Sequence, residues 1–335
     1  MAINTYNNFV ILQKKKLFTI FILFLFAIVS ILIALGSDEE GLSFIPKFSS
    51  DMDNKIFLLL RLPRIAMAVL VGAGLAMSGT LAQAILRNPL ASPFTLGISS
   101  GASFGAAISV FINVMSVWWT IVWAFVFAMA TSAIIFGLAR IKNSRPETLI
   151  LGGVAVMFLF GAGTSLLQFL ATEFQIQSIV FWGFGNLGRA GWTEVAIAAV
   201  CIIPPLPFAL RLSWDLNALV LGEETAQALG VNYHALRLKC IALISLMSAA
   251  AICFTGLIGF IGLVSPHIAR MFLGSEHRYL MPGAILFGVI LVSLSDTLSR
   301  TIWSPQVVPI GILTSFLGVP FFLWILLRNK KEYWN

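Results

Sequence analysis

Charge is what this 335-residue chain has least of: Asp, Glu, Lys and Arg make up 10% of it, while 59% is hydrophobic and mean hydropathy is +0.95. Soluble domains carry roughly 25% charged residues, and so few charges cannot cover so much apolar surface in water. A soluble enzyme, a nucleic-acid-binding domain and a disordered chain are excluded, which leaves lipid as the solvent. Cysteine is nearly absent. Cys201, Cys240 and Cys253 lie far apart without a CxxC pair, which reads as packed thiols rather than a disulfide or metal site. The three histidines form no H-E-x-x-H and have no carboxylate at ligand spacing.

Nucleotide chemistry is missing as well. There is no G-x-x-x-x-G-K-[ST] loop, and none of the nine lysines follows a glycine. The first eight apolar segments hold no mid-segment carboxylate, so the relay of a self-powered ion-coupled transporter lacks its usual parts. Asp296 stands near the end of the ninth, four residues before Arg300, the spacing of a helix-face ion pair. The residue pattern disfavours an enzyme.

What is present is apolar sequence in lengths that cross a bilayer, which takes about 20 residues per helix. Leu17–Leu35 is the first such run, flanked by Lys14–Lys16 and Asp38–Glu40, and reads as a retained span rather than a cleaved leader. Ile65–Leu86 is the second. The 52 residues Asn88–Ala139 hold no ionisable side chain and must contain two spans, around Gly101–Ala107 and Trp118–Phe136. Thr148–Ala171 is the fifth, and Val195–Leu210 a short sixth ending at Pro204-Pro205-x-Pro207. Ile241–Pro266 reads as a seventh plus the start of a shorter eighth helix that ends near Phe272. Met281–Leu298 and Ile310–Leu327 complete ten. The expectation is an all-α, polytopic membrane protein, one transmembrane domain over residues 1–335.

An even count places both termini on one side. With the termini inside, 15 of the 21 basic residues fall in cytoplasmic segments: Lys14–Lys16, Arg87, Arg140, Lys142, Arg145, Arg211, Arg237, Lys239, Arg270, Arg278, Arg328, Lys330 and Lys331. Lys47, Lys55, Arg61, Arg64, Arg189 and Arg300 remain outside. The positive-inside rule therefore predicts cytoplasmic termini. The one long polar stretch within the array, 213–237 between spans six and seven, is then cytoplasmic and helical around Leu219–Leu229. It is a handle for a cytoplasmic partner or a solvated connector.

Four stretches resemble the inner-membrane permeases of iron–siderophore, haem and vitamin B12 ABC importers, the FecCD-type or type II permeases. The first runs from Leu60-Arg61-Leu62-Pro63-Arg64 through Gly72–Gly79 and Arg87-Asn88-Pro89-Leu90 to Ala102. The second is Leu221–Val231, the third Gly259–Arg270, and the fourth extends from Ser295-Asp296 through Pro309-Ile310-Gly311 to Phe322. Together they span residues 60–328 in family order. The resemblance implies a ten-helix permease, in agreement with the span count.

It also implies roles. Glu223, Glu224, Thr225, Ala226 and Gly230 are similar to the Glu-Ala-Ala…Gly coupling signature, with Thr225 in place of the first alanine; a short helix ended by Gly230 in a left-handed cap would seat in a cleft of an ATPase. Asn88, Pro89 and Leu90 resemble the inner gate loop, though the same residues make an ordinary helix-ending turn. Spans five and ten would line the path, with Gly152, Gly153, Gly161, Gly163 and Ser165 leaving room for a bulky ligand and Gln168 offering a polar contact. Gln175–Trp192 resembles a short outer helix, or is an interfacial aromatic belt. Arg61, Arg64 and Arg300 match arginines that dock the glutamates of a binding protein; alone they read as snorkelling anchors.

The implied protein is therefore the non-enzymatic permease subunit of a binding-protein-dependent importer in the cytoplasmic (inner) membrane, moving an iron(III)–siderophore by alternating access. Haem or cobalamin is the alternative cargo. Its implied partners are a second permease, identical or paralogous, two ATPase subunits that bind ATP and Mg, and an extracytoplasmic binding protein. No cofactor, metal or nucleic acid belongs to the chain itself.

Overall fold

A computed structural model describes residues 2–37, 51–112, 116–141 and 145–327. Lys47, Lys142, Arg328, Lys330 and Lys331, which entered the charge count, and the acidic flank 38–40 lie outside the described residues. Among the described residues every regular element is helical. Seven stretches are long and apolar enough to cross a membrane: Ile11–Gly36, Asp51–Ile85, Val117–Ile141, Pro146–Leu170, Trp192–Arg211, Tyr233–Thr255 and His277–Thr301. Three shorter apolar helices, Ile98–Phe111, Ile261–Leu273 and Ile310–Leu323, occupy the positions of the third, eighth and tenth expected spans.

In chain order the helices are α1 (Ala2–Gly36), α2 (Asp51–Ile56), a π-helical turn Phe57–Arg61, α3 (Leu62–Ile85), α4 (Ile98–Phe111), α5 (Val117–Ile141) and α6 (Pro146–Leu170). Then follow α7 (Glu173–Gly183), α8 (Trp192–Ile202), α9 (Pro205–Arg211), α10 (Ser213–Val220) and α11 (Glu223–Ala228). The chain closes with α12 (Tyr233–Thr255), α13 (Ile261–Leu273), α14 (His277–Thr301) and α15 (Ile310–Leu327).

The core is built around α3, which is buried almost throughout and packs on α12, α13 and α14. Lipid is as apolar as leucine, so helices associate in it by close backbone approach at small residues. That is how α3 is held. A Cβ on Gly72 would lie 2.5 Å from the Gly288 carbonyl oxygen of α14, and one on Gly79 would overlap the Gly262 carbonyl of α13. The reading of Gly72–Gly79 as a packing face is the observed one.

Long-range bonds fix the direction of the bundle. The start of α3 meets the end of α14 through Arg64 and Asp296, whereas the end of α3 meets the start of α12 through Ile85 and Arg237. Lys16 in α1 reaches Glu276 at the start of α14, and Arg300 at the end of α14 reaches Ala34 at the end of α1. The backbone of Gly311 donates to the Phe184 carbonyl after α7, placing the start of α15 at the Arg64 end. Helices α1 and α15 thus begin and finish, respectively, at the Arg237 end.

The sixth segment runs over Trp192–Arg211, close to the expected Val195–Leu210, and the prolines break its helix: α8 stops at Ile202 and Pro205 opens α9 as an N-terminal proline. The polar segment 213–237 is shorter than expected. Gly222, at φ 122°, divides its expected helix into α10 and α11, and residues from Tyr233 onward, Arg237 included, are the first turns of α12.

Candidate functional site

At the Arg237 end, α11 is a six-residue helix whose Ala226 is buried while Glu224, Thr225, Gln227, Ala228 and Gly230 are exposed. Its termination follows from glycine at φ 83° on residue 230, where a left-handed backbone costs no Cβ clash. Val231 N–H donates to the Ala226 carbonyl and Gly230 N–H to that of Gln227, the paired bonds of a Schellman cap. Asn232 then caps α12, its side-chain oxygen accepting from Ala235 N–H at 3.0 Å. Leu221 and Leu229 flank α11 at 68% and 64% exposure, so this knob presents an apolar as well as an acidic surface.

Beside it lies the turn after α3. Arg87, not a glycine, takes the left-handed position at φ 47°, and Asn88 N–H and Arg87 N–H close on the Gln83 and Ala84 carbonyls. Asn88 Oδ1 then accepts from Leu90 N–H at 2.9 Å, turning the chain around Pro89. Leu90 emerges 43% exposed and faces a groove of about 810 Å³. Phe94, Phe184, Phe260, Phe316 and Pro320 contribute to its apolar wall, with Ser92, Thr95 and Ser315 as polar contacts. No ionisable residue is among the described residues that line it. Gly183, Gly311 and Leu257 extend it toward the Arg64 end.

The groove takes its walls from α13, α15, the end of α7 and the three connecting segments after α3, α7 and α12, not from the expected span-five residues. Three of those six are packing positions: Gly153 against the Thr95 backbone, Gly152 against Leu138 and Gly163 against Phe104. Gly161 and Ser165 lie exposed on the face of α6 that carries Phe158 and Phe169, and Gln168 is half-buried. Sequence spacing shows that α6 has a small face; it does not show which neighbour fills it.

At the opposite end, two of the three expected docking arginines are tied down inside the chain. Arg64 grips Asp296 with both oxygens, Nε to Oδ1 at 2.9 Å and to Oδ2 at 3.0 Å. Arg300 reaches the same carboxylate at 3.3 Å and donates to the Ser37 and Ala34 carbonyls at 2.9 and 3.0 Å. Those carbonyls end α1, where a cation is favoured by the helix dipole. Asp296 is 1% exposed. The helix-face pair Asp296–Arg300 is therefore present but shares its carboxylate with Arg64, and Arg61, like Arg64, is half-buried.

Arg237 is a residue that the sequence marked only as one more basic side chain. It is fully buried, donates to Glu223 Oε1 at 2.7 Å and to the Ile85 carbonyl at 3.1 Å, and lies over the Tyr233 ring. Its place four residues before the seventh expected span, which starts at Ile241, gave no sign of burial.

A multi-helix membrane bundle, with an acidic capped knob at one end and, among the described residues, a groove without ionisable side chains and no His/Cys/Asp/Glu cluster for a metal, is the build of a transport subunit. The comparisons specify which. The chain matches the FecCD transport family over residues 17–328, and it belongs to that family. It is 38% identical to the hemin transport system permease protein of Yersinia pestis, over 91% of this chain and 95% of that one. It is 34% identical to the vitamin B12 import system permease of Vibrio vulnificus and 34% identical to an Fe(3+)-citrate import system permease of Bacillus subtilis, each over 96% of this chain and 98% of the relative. An inward-facing structure of a transporter described as of the metal-chelate ABC type superposes with TM-score 0.85 at 34% identity, covering 93% of this chain and 99% of that one. The protein is a multi-pass protein of the cytoplasmic membrane.

Proposed function

We propose that the chain is the permease subunit of a binding-protein-dependent ABC importer that carries an intact metal chelate, an iron(III)–siderophore first and haem or cobalamin as the alternative. The observation that carries it is α11: an exposed, Schellman-capped helix on a chain that lacks any nucleotide loop of its own. Such a knob transmits force from a separate ATPase, which binds ATP and Mg. The groove supports the cargo class. With no ionisable side chain and no cysteine among its described lining residues, it offers iron no strong ligands, so the metal crosses inside its chelate while aromatic and aliphatic walls accommodate the periphery.

In this reading the chain crosses ten times with both termini cytoplasmic, two permeases pair around the path, two ATPases dock at the Arg237 end and a binding protein docks at the Arg64 end. The common placement of the α1 start and α15 finish supports the shared side of the termini. ATP binding closes the ATPases, α11 moves, the Asn88–Leu90 turn and the outer mouth exchange, and the chelate passes without any bond to it being broken. The test is ATP hydrolysis by the purified assembly of permease, ATPase and binding protein. Stimulation by the chelate-loaded binding protein supports the reading, and a permease that fails to associate with any ATPase overturns it.

A further inference from the structure

Between the knob and the groove stands a single buried guanidinium. Arg237 is 0% exposed, and its two bonds leave from different nitrogens toward different elements: Nη2 to Glu223 at the start of α11, Nε to the carbonyl of Ile85, the last residue of α3. Two residues further on, Arg87 begins the turn that delivers Leu90 to the groove. We infer that Arg237 is the positioning residue that carries displacement of α11 to the Asn88–Leu90 turn, an inference that rests on the coupling role proposed above.

The physical case has three parts. Among the charged side chains of α11, Glu223 is the one for which the structure gives a bond into the bundle. Breaking the pair would leave the Arg237 charge unpaired in the interior, its side chain being 0% exposed against 34% for Glu223, so knob and guanidinium move together in preference to separating. The guanidinium is planar and rigid, so a pull on Nη2 is felt at Nε, which a lysine with a single nitrogen on a flexible stem cannot reproduce. The third nitrogen, Nη1, is buried without a hydrogen-bond partner among the described residues. It holds a donor in reserve for another carbonyl when the end of α3 shifts.

The experiment places an environment-sensitive fluorophore on Leu90→Cys in the full permease–ATPase assembly and reads the emission change on adding ATP with vanadate, so no cargo is needed. Arg237→Lys keeps the charge and loses the bridge; its response is expected to fall at least fivefold while the ATPase stays bound and hydrolyses ATP. Glu223→Gln, at the half-exposed partner, is expected to lose about half the response and covers the case in which Arg237→Lys does not fold. Lys239→Gln, an exposed cation on the same helix, should respond as the parent does. A full response in Arg237→Lys, or in Glu223→Gln where the lysine variant is not recovered, overturns the relay and leaves the coupling reading intact. A parent that binds the ATPase but gives no response to ATP overturns the coupling reading itself.

Discussion

Arg64 and Asp296 are 232 residues apart in the chain, and their side chains meet at 2.9 and 3.0 Å. The pair closes the start of α3 onto the end of α14, and Arg300 extends the same carboxylate to the last carbonyls of α1. Three helices are locked at one end by one aspartate.

Replacing that aspartate should therefore cost stability. Asp296→Asn leaves two guanidinium groups facing a neutral amide in a largely buried site, a loss of about 3–5 kcal/mol. A clear fall in the thermal midpoint of the detergent-solubilised permease is the expected result, and an unchanged midpoint would show that water, not Asp296, satisfies the arginines.

The same network separates the three outer arginines. Arg61→Glu should weaken binding-protein docking in a salt-sensitive way, since charges at such a contact act on encounter and orientation. Arg300→Glu should instead destabilise the permease, because it sets a second carboxylate against Asp296 and uncaps α1. Docking affinity against ionic strength, measured beside unfolding, distinguishes the two.

Most of the architecture was legible because a bilayer imposes length: each expected apolar run falls on a helix or, for Val195–Leu210 and Ile241–Pro266, on a broken pair of helices, and the cap at Gly230 follows from glycine's access to positive φ. Pairing across the bundle was not legible. Nothing local to Arg64 or Asp296 names the other, so Arg64 looked free on the sequence. Arg237 was counted toward orientation for the same reason, although it is buried at the junction of α11 and α3. On α6, Gly152, Gly153 and Gly163 looked like space for cargo because composition records that a residue is small, not what fills the gap.

The turn after α3 yields a prediction with a favourable sign. Arg87 holds φ 47°, a conformation that costs an L-residue with a Cβ about 1–2 kcal/mol. Arg87→Gly should recover part of this, about 1 kcal/mol, and raise the thermal midpoint. A fall would mean that the arginine side chain supplies more than the backbone loses.

Leu90 and Asn88 should control leak. Asn88→Gly with Leu90→Gly removes the 2.9 Å bond that shapes the turn and the side chain that faces the groove. Dye efflux from proteoliposomes without ATP is expected to rise severalfold. Vesicles that stay tight would return this segment to the status of a helix-ending turn.

The central claim is that this chain moves chelates on power supplied by a separate ATPase through α11. Its most direct test is uptake of hemin and of ferric siderophore into proteoliposomes holding the permease, its ATPase and its binding protein, with Glu224→Lys compared to the parent. The account predicts uptake of at least one chelate that requires ATP and the binding protein, and that Glu224→Lys abolishes uptake while the permease remains folded. Uptake by the permease alone, driven by a proton or sodium gradient and indifferent to Glu224→Lys, would contradict it.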